Sequence, residues 1–276
     1  MLDKKVLYTR AISAVVFAAI VVVLLNYSRL TIFLFLVLLS FFATYEYIKI
    51  KLGDRAGLRE KIITPLLFGV LPVAIDYFMH QLNFIGFNVL LFITLVFDFY
   101  LMYKLFKGKD MLEKNEIVIY FEALFYIGIP VLLASNLLLI GLDSKSIIIF
   151  ILILLIWAND TFAYLTGSLF GKNKLMPSVS PGKTIEGFVG GGLFTLVVSI
   201  LLFYYFNTFS IYFYLILGSL VWTVGTIGDL IESKMKRSYG IKDSGTIMPG
   251  HGGFLDRFDS FIFVLPFVIL MVYLFL

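Results

Sequence analysis

The segment from Ser233 to Asp259 brings together residue types that bind phosphate groups and divalent metal ions. Its first part is strongly basic and contains Lys234, Lys236, Arg237 and Lys242. A glycine-rich turn follows, with the sequence Gly250-His251-Gly252-Gly253. Asp256 and Asp259 then open the last apolar stretch, and their spacing places both carboxylates on one face of a predicted helix. Cations, carboxylates and a flexible turn in one segment indicate phosphoryl or nucleotidyl transfer.

A second polar group lies between the sixth and seventh apolar stretches. Asp160 stands inside the sixth stretch, and the link ends in Ser180-Pro181-Gly182-Lys183-Thr184, before Glu186. We predict a turn at Pro181-Gly182, and we expect Thr184 to cap the seventh helix. Backbone N–H groups at that helix start, together with Lys183, form a candidate anion site. The alternative for these residues is an ordinary loop that leads into a capped helix.

Acidic residues inside apolar stretches are a third feature, because a charge in the bilayer costs at least about 2.5–3.5 kcal/mol on insertion scales. Five lie in the predicted cytoplasmic half of stretches six to nine: Asp160, Glu186, Asp229, Asp256 and Asp259. Asp229, Ser233 and Arg237 form a polar stripe at helical spacing. Structural roles stay open for three residues. Asp229 could pair with Arg237, Asp256 could interact only with the helix dipole, and Arg257 could anchor the membrane rim.

The composition indicates an integral membrane protein. Hydrophobic residues make up 61% of the 276 residues and charged residues 14%, whereas a soluble domain carries about 25% charged residues. Since a spanning helix needs roughly 20 mostly apolar residues, we predict an all-α polytopic bundle of about nine transmembrane helices. The predicted spans are residues 9–27, 30–48, 62–79, 84–105, 116–141, 146–170, 185–206, 210–233 and 256–276.

We predict that these spans form two parts of the chain, one N-terminal and one C-terminal. Residues 1–145 would form an N-terminal part with about five spans. Residues 146–276 would form a catalytic part with about four spans and the polar segment 233–259. The first stretch has no small-residue cleavage site after it, so we expect an uncleaved span and not a signal peptide.

Lysine and arginine are distributed unevenly around the predicted spans. With the N-terminus inside, only Arg29 and Lys145 of the 22 basic residues fall on the outer side. The positive-inside rule therefore predicts a multi-pass cell-membrane protein whose N-terminus and polar site face the cytoplasm and whose C-terminus lies outside. The net charge of +4 comes mostly from this inner rim, so it does not indicate nucleic-acid binding.

The C-terminal motifs resemble the signature of the phosphatidate cytidylyltransferase (CDP-diacylglycerol synthase) family. The matching positions are Ser233, Lys236-Arg237, Lys242-Asp243, Pro249, His251-Gly252-Gly253, Asp256-Arg257 and Asp259, with every gap of the family pattern intact. Upstream, Asn159 to Tyr164 and Ser180 to Gly187 also match the family. The resemblance covers residues 157–260 densely, whereas the preceding half matches only as a hydrophobic pattern.

The resemblance implies that CTP and phosphatidic acid react to give CDP-diacylglycerol and pyrophosphate. The lipid phosphate is already an anion, so no side-chain nucleophile is required, and metal ions with fixed cations would stabilise the transferred charge. The expected catalytic residues are Asp229, Lys242, Asp256, Arg257 and Asp259. The expected substrate-binding residues are Asp160, Ser180, Lys183, Glu186, Ser233, Lys236, Arg237, His251, Gly252 and Gly253. The expected ligands for Mg²⁺, with or without a second cation, are Asp229, Asp256 and Asp259.

Other partners and functions follow from the same residues. The resemblance suggests a homodimer, with CTP and phosphatidic acid as substrates. A CTP-dependent cytidylyltransferase for another lipid phosphate, or a polyprenol kinase, would use similar groups. An anion transporter would also contain acids within the membrane, but it should distribute them over the full depth. Labelled CTP with phosphatidic acid would separate these functions.

Overall fold

The computed structural model describes residues 4–79, 84–139, 143–245 and 252–275. Almost all of them are helical. The α-helices are α1 (Lys4–Tyr27), α2 (Arg29–Leu52), α3 (Leu58–Thr64), α4 (Leu71–Met79), α5 (Phe84–Phe106), α6 (Glu116–Ala123), α7 (Ile129–Leu139), α8 (Asp143–Phe170), α9 (Ile185–Phe206), α10 (Ile211–Leu220), α11 (Thr226–Ser238) and α12 (Leu255–Phe275). Three π-helical turns, Pro65–Val70, Leu124–Gly128 and Val221–Gly225, join α3 to α4, α6 to α7 and α10 to α11.

The prediction of an all-α polytopic membrane protein is confirmed. In the described ranges, seven helical segments are long and apolar enough to cross a membrane: Arg29–Arg55, Ile85–Phe106, Glu116–Asn136, Ile147–Phe170, Ile185–Phe206, Ile211–Ser238 and Leu255–Phe275. The two other predicted spans fall in α1 and in the helix from α3 to α4. Nine crossings therefore stay a prediction.

The eighth predicted span continues further than its apolar residues do. α11 extends to Ser238, so Lys234, Lys236 and Arg237 are helical and do not belong to the loop. Its polar last turns are stabilised by contacts with the linker between α5 and α6. The Tyr239 hydroxyl donates to the Glu113 carbonyl at 3.0 Å, and the Met111 N–H donates to Ser238 Oγ at 3.1 Å.

A short antiparallel hairpin interrupts the helices between α8 and α9. Its strands are β1 (Lys174–Met176) and β2 (Ser180–Thr184). The prediction of a turn at Pro181-Gly182 is wrong, because both residues lie within β2. The turn forms at Pro177 instead, where the Val179 N–H donates to the Met176 carbonyl at 3.1 Å. Proline fits the second position of such a turn, and a two-stranded ribbon tolerates Pro181 because neither strand is central.

Small residues allow α8 and α9 to pack closely beside this hairpin. A Cβ atom added to Gly187 would lie 2.7 Å from the Ala163 carbonyl oxygen, and one added to Gly191 would lie 2.8 Å from the Ala163 Cβ. The Phe162 and Phe194 rings stack with centroids 4.3 Å apart. The two helices thus hold the residues at their ends in a fixed relation.

α12 lies at the centre of the bundle. It packs against α2, α5 and α7 of the predicted N-terminal part and against α11 of the predicted catalytic part. Phe258 is buried and contacts Phe17 and Phe35, with ring centroids 5.7 and 5.6 Å apart. The helix that carries Asp256 and Asp259 is therefore anchored by both parts of the chain.

Candidate active site

A cleft of about 390 Å³ opens between α8, β2, α9 and α11. Its lining includes the predicted site residues Asp160, Ser180, Lys183 and Asp229. Asn159, Tyr164, Ser168 and Thr226 add further polar groups. Helix packing and the hairpin thus bring together two motifs that lie about 50 residues apart in the sequence.

Lys183 and Asp229 form the central ion pair of this cleft. Lys183 Nζ lies 2.6 Å from Asp229 Oδ2, and Ser233 Oγ donates to Asp229 Oδ1 at 3.2 Å. The predicted cap of α9 is confirmed, since Thr184 Oγ1 accepts a hydrogen bond from the Gly187 N–H at 3.1 Å. This cap fixes the end of β2 and with it the position of Lys183.

The surrounding acids keep Lys183 charged. Burial alone would lower the pKa of Lys183, but the carboxylates of Asp229, Asp259 and Asp160 raise it above its ordinary value. The side chain keeps 28% of its surface exposed. A protonated amine that is partly open to the cleft can bind a phosphate oxygen.

The structure rejects Arg237 as the partner of Asp229. Both Asp229 oxygens bind other groups, Lys183 and Ser233. Arg237 lies two turns further along α11, which is roughly 12 Å at helical rise. Its side chain is exposed, and Nη1 donates to the Ile241 carbonyl at 3.0 Å. The structural alternative of a buried Asp229–Arg237 pair is therefore wrong.

Asp256 belongs to a second polar group at the start of α12. Its Oδ1 lies 2.5 Å from Lys236 Nζ. Its Oδ2 accepts hydrogen bonds from the backbone N–H groups of Ser244 at 3.0 Å and Gly253 at 2.7 Å. Lys236 also forms an ion pair with the fully buried Glu232. The signature loop is the connection between α11 and α12, of which residues 239–245 and 252–254 are described. Asp256 binds both described parts of this loop, in addition to its favourable position at the helix N-terminus.

Asp259 lies near Lys183 and Asp229 of the cleft, although it shares α12 with Asp256. The charges of Asp229, Asp160 and Lys183 act on its carboxylate. Asp259 is 8% exposed, and its Oδ1 accepts a hydrogen bond from the Ser260 N–H at 2.6 Å. The two aspartates thus bind different groups directly, Lys236 for Asp256 and the Ser260 N–H for Asp259, although the charge of each acts on the buried Glu232.

No metal centre is preformed in the part of the chain that the structure describes. There, no three His, Asp or Glu side chains are grouped closely enough to hold a metal ion. Asp229, Asp256 and Asp259 are therefore not assembled as a ligand triad. The oxygen donors nevertheless have the chemistry that Mg²⁺ prefers.

The other predicted site residues occupy three different settings. Glu186 lies outside the cleft lining and fixes the link before β1, where its oxygens accept from the N–H groups of Lys172 and Asn173 at 3.0–3.2 Å. Lys242 lines a separate groove of about 740 Å³, together with Lys49, Arg55 and Tyr239. Arg257 is exposed, and its charge acts on Asp160.

The glycine turn is described only in part. His251 lies outside the described residues. Gly252 has φ = 83°, a conformation that favours glycine, and the Gly253 N–H binds Asp256. This glycine conformation allows the loop backbone to turn toward the Asp256 carboxylate.

The sequence of this chain is similar to those of known proteins. The sequence matches the model of the cytidylyltransferase family over residues 8–275. The chain belongs to the cytidylyltransferase family. Because the match extends over nearly the whole sequence, it includes both the cleft and the loop around Asp256.

Several phosphatidate cytidylyltransferases are similar to this family member. Those of Staphylococcus haemolyticus (strain JCSC1435) and Staphylococcus aureus (strain COL) are 51% and 52% identical over 114 and 115 residues. Each alignment covers 41% of this chain and 44% of the relative. The enzyme of Bacillus subtilis (strain 168) is 48% identical over 128 residues, which cover 46% of this chain and 48% of that protein. The chain thus spans about half the length of these curated relatives.

Three residues of these polar groups are missing from the sequence-based set. Asn159 lines the cleft and was visible as part of the matching Asn159-to-Tyr164 motif. Glu232 pairs with Lys236, and its position beside Ser233 was the available signal. Glu46 contacts the signature loop from α2, and its signal was an acidic residue inside the second apolar stretch.

Proposed function

We propose that this chain transfers the cytidylyl group of CTP to phosphatidic acid, giving CDP-diacylglycerol and pyrophosphate. Membership of the cytidylyltransferase family and the names of the similar proteins support this reaction. The observation that carries it is the Lys183–Asp229 pair, which lies in a polar cleft bounded by spanning helices. A site at that position can receive a water-soluble nucleotide and a phosphate whose acyl chains stay in the bilayer.

The chemistry needs charge stabilisation more than proton transfer. An oxygen of the lipid phosphate attacks the α-phosphorus of CTP, a new P–O bond forms, and the bond to pyrophosphate breaks. Since the attacking phosphate is already ionised, no general base has to remove a proton. Lys183 would bind a phosphate oxygen in the cleft, and Lys236, Arg237, Lys242 and Arg257 are the other candidate phosphate ligands.

Mg²⁺ is part of this proposal. Asp160, Asp229 and Asp259 act on Lys183, and Arg257 acts on Asp160. With all three acids ionised, the group has three negative charges and two positive charges. A bound divalent cation would balance that excess and neutralise phosphate charge. Asp229 and Asp259 are the preferred ligands, whereas Asp256 would have to release Lys236 and two backbone N–H groups to join them. A second cation is compatible with the same donors.

The proposed site faces the cytoplasm of the cell membrane, where CTP is available. The inner-side lysines and arginines support this orientation. Several of the predicted inner segments also meet in the structure, since Arg55 Nη1 donates to the Lys114 carbonyl at 3.2 Å and Lys234 Nζ to the Gly108 carbonyl at 3.5 Å. A homodimer remains a proposal that rests on the family resemblance.

The test uses CTP labelled at either the α- or the γ-phosphate, with the purified chain, Mg²⁺, phosphatidic acid and a polyprenol. Cytidylyl transfer places the α-label in the lipid and releases the γ-label as pyrophosphate. A CTP-dependent lipid kinase would instead place the γ-label in a polyprenol. An anion transporter would place neither label in lipid, and either of these last two results would overturn the proposal.

A further inference from the structure

Glu46 connects the second helix to the signature loop. It lies in α2, far in sequence from the C-terminal motifs, and is 1% exposed. Its Oε2 accepts hydrogen bonds from Ser244 Oγ at 2.7 Å and from the Leu255 N–H at 2.8 Å. One carboxylate oxygen therefore contacts both sides of the loop, 198 and 209 residues away in the sequence.

The bond to Leu255 also caps α12. Leu255 is the first residue of that helix, and N–H groups in a first helical turn have no acceptor within their own helix. Glu46 supplies that acceptor from another helix. Because Asp256 is the next residue, the same contact fixes the position of its backbone at the start of α12.

Asp256 also binds both described parts of the signature loop. Its Oδ2 accepts the N–H groups of Ser244 and Gly253, so Ser244 binds both Glu46 and Asp256. Gly245 and Gly253 pass so close to Glu46 that a Cβ atom on either would overlap its carboxylate. The close approach of backbone and carboxylate thus depends on both glycines.

Glu46 keeps one further acceptor. Its Oε1 is buried and has no hydrogen-bond partner within the described residues. A buried oxygen without a partner costs free energy, so among the described residues the contacts of Oε2 with Ser244 and Leu255 must offset that cost. The buried Glu122 differs, because it forms an ion pair with Lys51 at 3.0 Å and accepts from the Tyr47 hydroxyl at 3.1 Å.

We infer that Glu46 is a positioning residue for the transfer reaction: it holds Ser244 and Leu255 so that Asp256 and Lys236 are aligned with the substrates. This inference rests on the proposed function for its effect on rate. Glu46 reaches the loop and the start of α12 and acts through them. Its loss should therefore lower kcat and leave the bundle folded.

The experiment compares Glu46→Gln and Glu46→Ala in detergent by amide hydrogen exchange and by steady-state kinetics. Loss of a hydrogen bond to a charged group should speed exchange in peptides that contain Ser244 and Leu255 by about tenfold or more in Glu46→Ala. Glu46→Gln keeps the shape and one acceptor, so it should lie between Glu46→Ala and the unaltered chain. We expect kcat to fall in the same order, with exchange in α8 and α9 unchanged.

Glu122→Gln is the matched control, because it neutralises a buried carboxylate that does not bind the loop. It should leave exchange at Ser244 and Leu255 unchanged. The inference is overturned if Glu46→Ala leaves loop exchange as it was, or if it speeds exchange without lowering kcat. If Glu46→Ala does not fold, Glu46→Gln and Ser244→Ala give the same comparison.

The two measurements, hydrogen exchange and steady-state kinetics, also separate this inference from the proposed function. If the unaltered chain forms no CDP-lipid, the proposed function fails, and a positioning role in that reaction fails with it. Exchange would then still show whether Glu46 holds the loop. If CDP-lipid forms but the Glu46 variants match the unaltered chain in both measurements, only the role of Glu46 is refuted.

Discussion

Four polar side chains of α11 divide the candidate site into two charge groups. Asp229 and Ser233 face Lys183 in the cleft, whereas Glu232 and Lys236 face Asp256. Their spacing along α11 places them on one side of the helix. One helix thus contributes to the cleft and to the contacts of Asp256 with the signature loop.

The different direct partners of Asp256 and Asp259 predict different effects for their amide variants. Asp259→Asn should have a melting temperature near that of the unaltered chain. It should lose most turnover and require a higher Mg²⁺ concentration, because the proposed metal site loses one carboxylate charge. Asp256→Asn should also lose turnover but melt lower, since it weakens the buried contact with Lys236. That loss should be less than the about 3–5 kcal/mol of a broken buried pair, because Glu232 remains.

Thermal melting and rates over a range of Mg²⁺ concentrations measure both effects. Near-normal activity of Asp259→Asn at limiting Mg²⁺ would remove Asp259 from the metal site. Equal melting of the two variants would contradict the role of Asp256 in holding the signature loop.

Arg237 offers a test in which stability should not change. Its side chain is exposed and has a hydrogen bond to the Ile241 carbonyl. Arg237→Ala should therefore melt near the unaltered chain, with a change of about 0.5 kcal/mol or less. If Arg237 binds phosphate, the apparent affinity for CTP should fall. Arg237→Lys keeps the charge but not the two-pronged donor, so it should restore only part of that affinity.

A titration of CTP against initial rate, beside a melting curve, separates the two roles. Unchanged CTP dependence in both variants would remove Arg237 from the substrate site.

Individual residues were predictable where local chemistry decides their role. Thr184 was predictable as a helix cap because the capping contact spans only three residues. Ser233 was predictable as a neighbour of Asp229 from its helical spacing. Lys183 was not, because it reaches Asp229 only through the packing of β2 beside α11. Glu46 was missed for the same reason, since its contacts lie about 200 residues away.

The helices and loops around the site differ in how strongly their sequence determines them. Long apolar stretches predict spanning helices because little else satisfies the backbone in a bilayer. The polar end of α11 was outside that rule, since its stability comes from Glu113, Met111 and neighbouring groups. The hairpin was missed because its strands have three and five residues and no alternating pattern.

Substitution of Gly252 in the signature loop should strongly affect stability and turnover. Gly252→Ala would place a side chain at φ = 83° and 2.6 Å from Asp256 Oδ2. We expect a cost of about 1–2 kcal/mol from the backbone alone and a loss of turnover, because Asp256 must move. Gly225→Ala is the control, since its Cβ would meet ordinary contacts at 3.8 Å.

Melting temperature and CDP-lipid formation report on both glycine variants. Normal turnover of Gly252→Ala would show that the loop geometry around Asp256 is not required.

The orientation of the whole molecule can be tested by single-cysteine labelling, because the chain has no native cysteine. Ser244 is unsuitable because it is buried and bound to Glu46. Lys107 and Thr208 are exposed and lie in the predicted inner and outer loops. An impermeant reagent should label Thr208→Cys in intact cells, and Lys107→Cys only after permeabilisation. The reverse pattern would invert the topology.

The central claim joins the cleft to the reaction, and one measurement tests it most directly. The rate of α-label transfer from CTP to phosphatidic acid is compared for Lys183→Ala and Lys174→Ala, two lysine variants of the same hairpin. Lys183 faces three acids at the cleft, whereas Lys174 is exposed on β1 and outside the cleft lining. We predict that Lys183→Ala lowers the rate about 100-fold or more and that Lys174→Ala stays within a few fold of the unaltered chain. Equal rates for the two variants, in folded protein, would contradict the assignment of this cleft as the site of cytidylyl transfer.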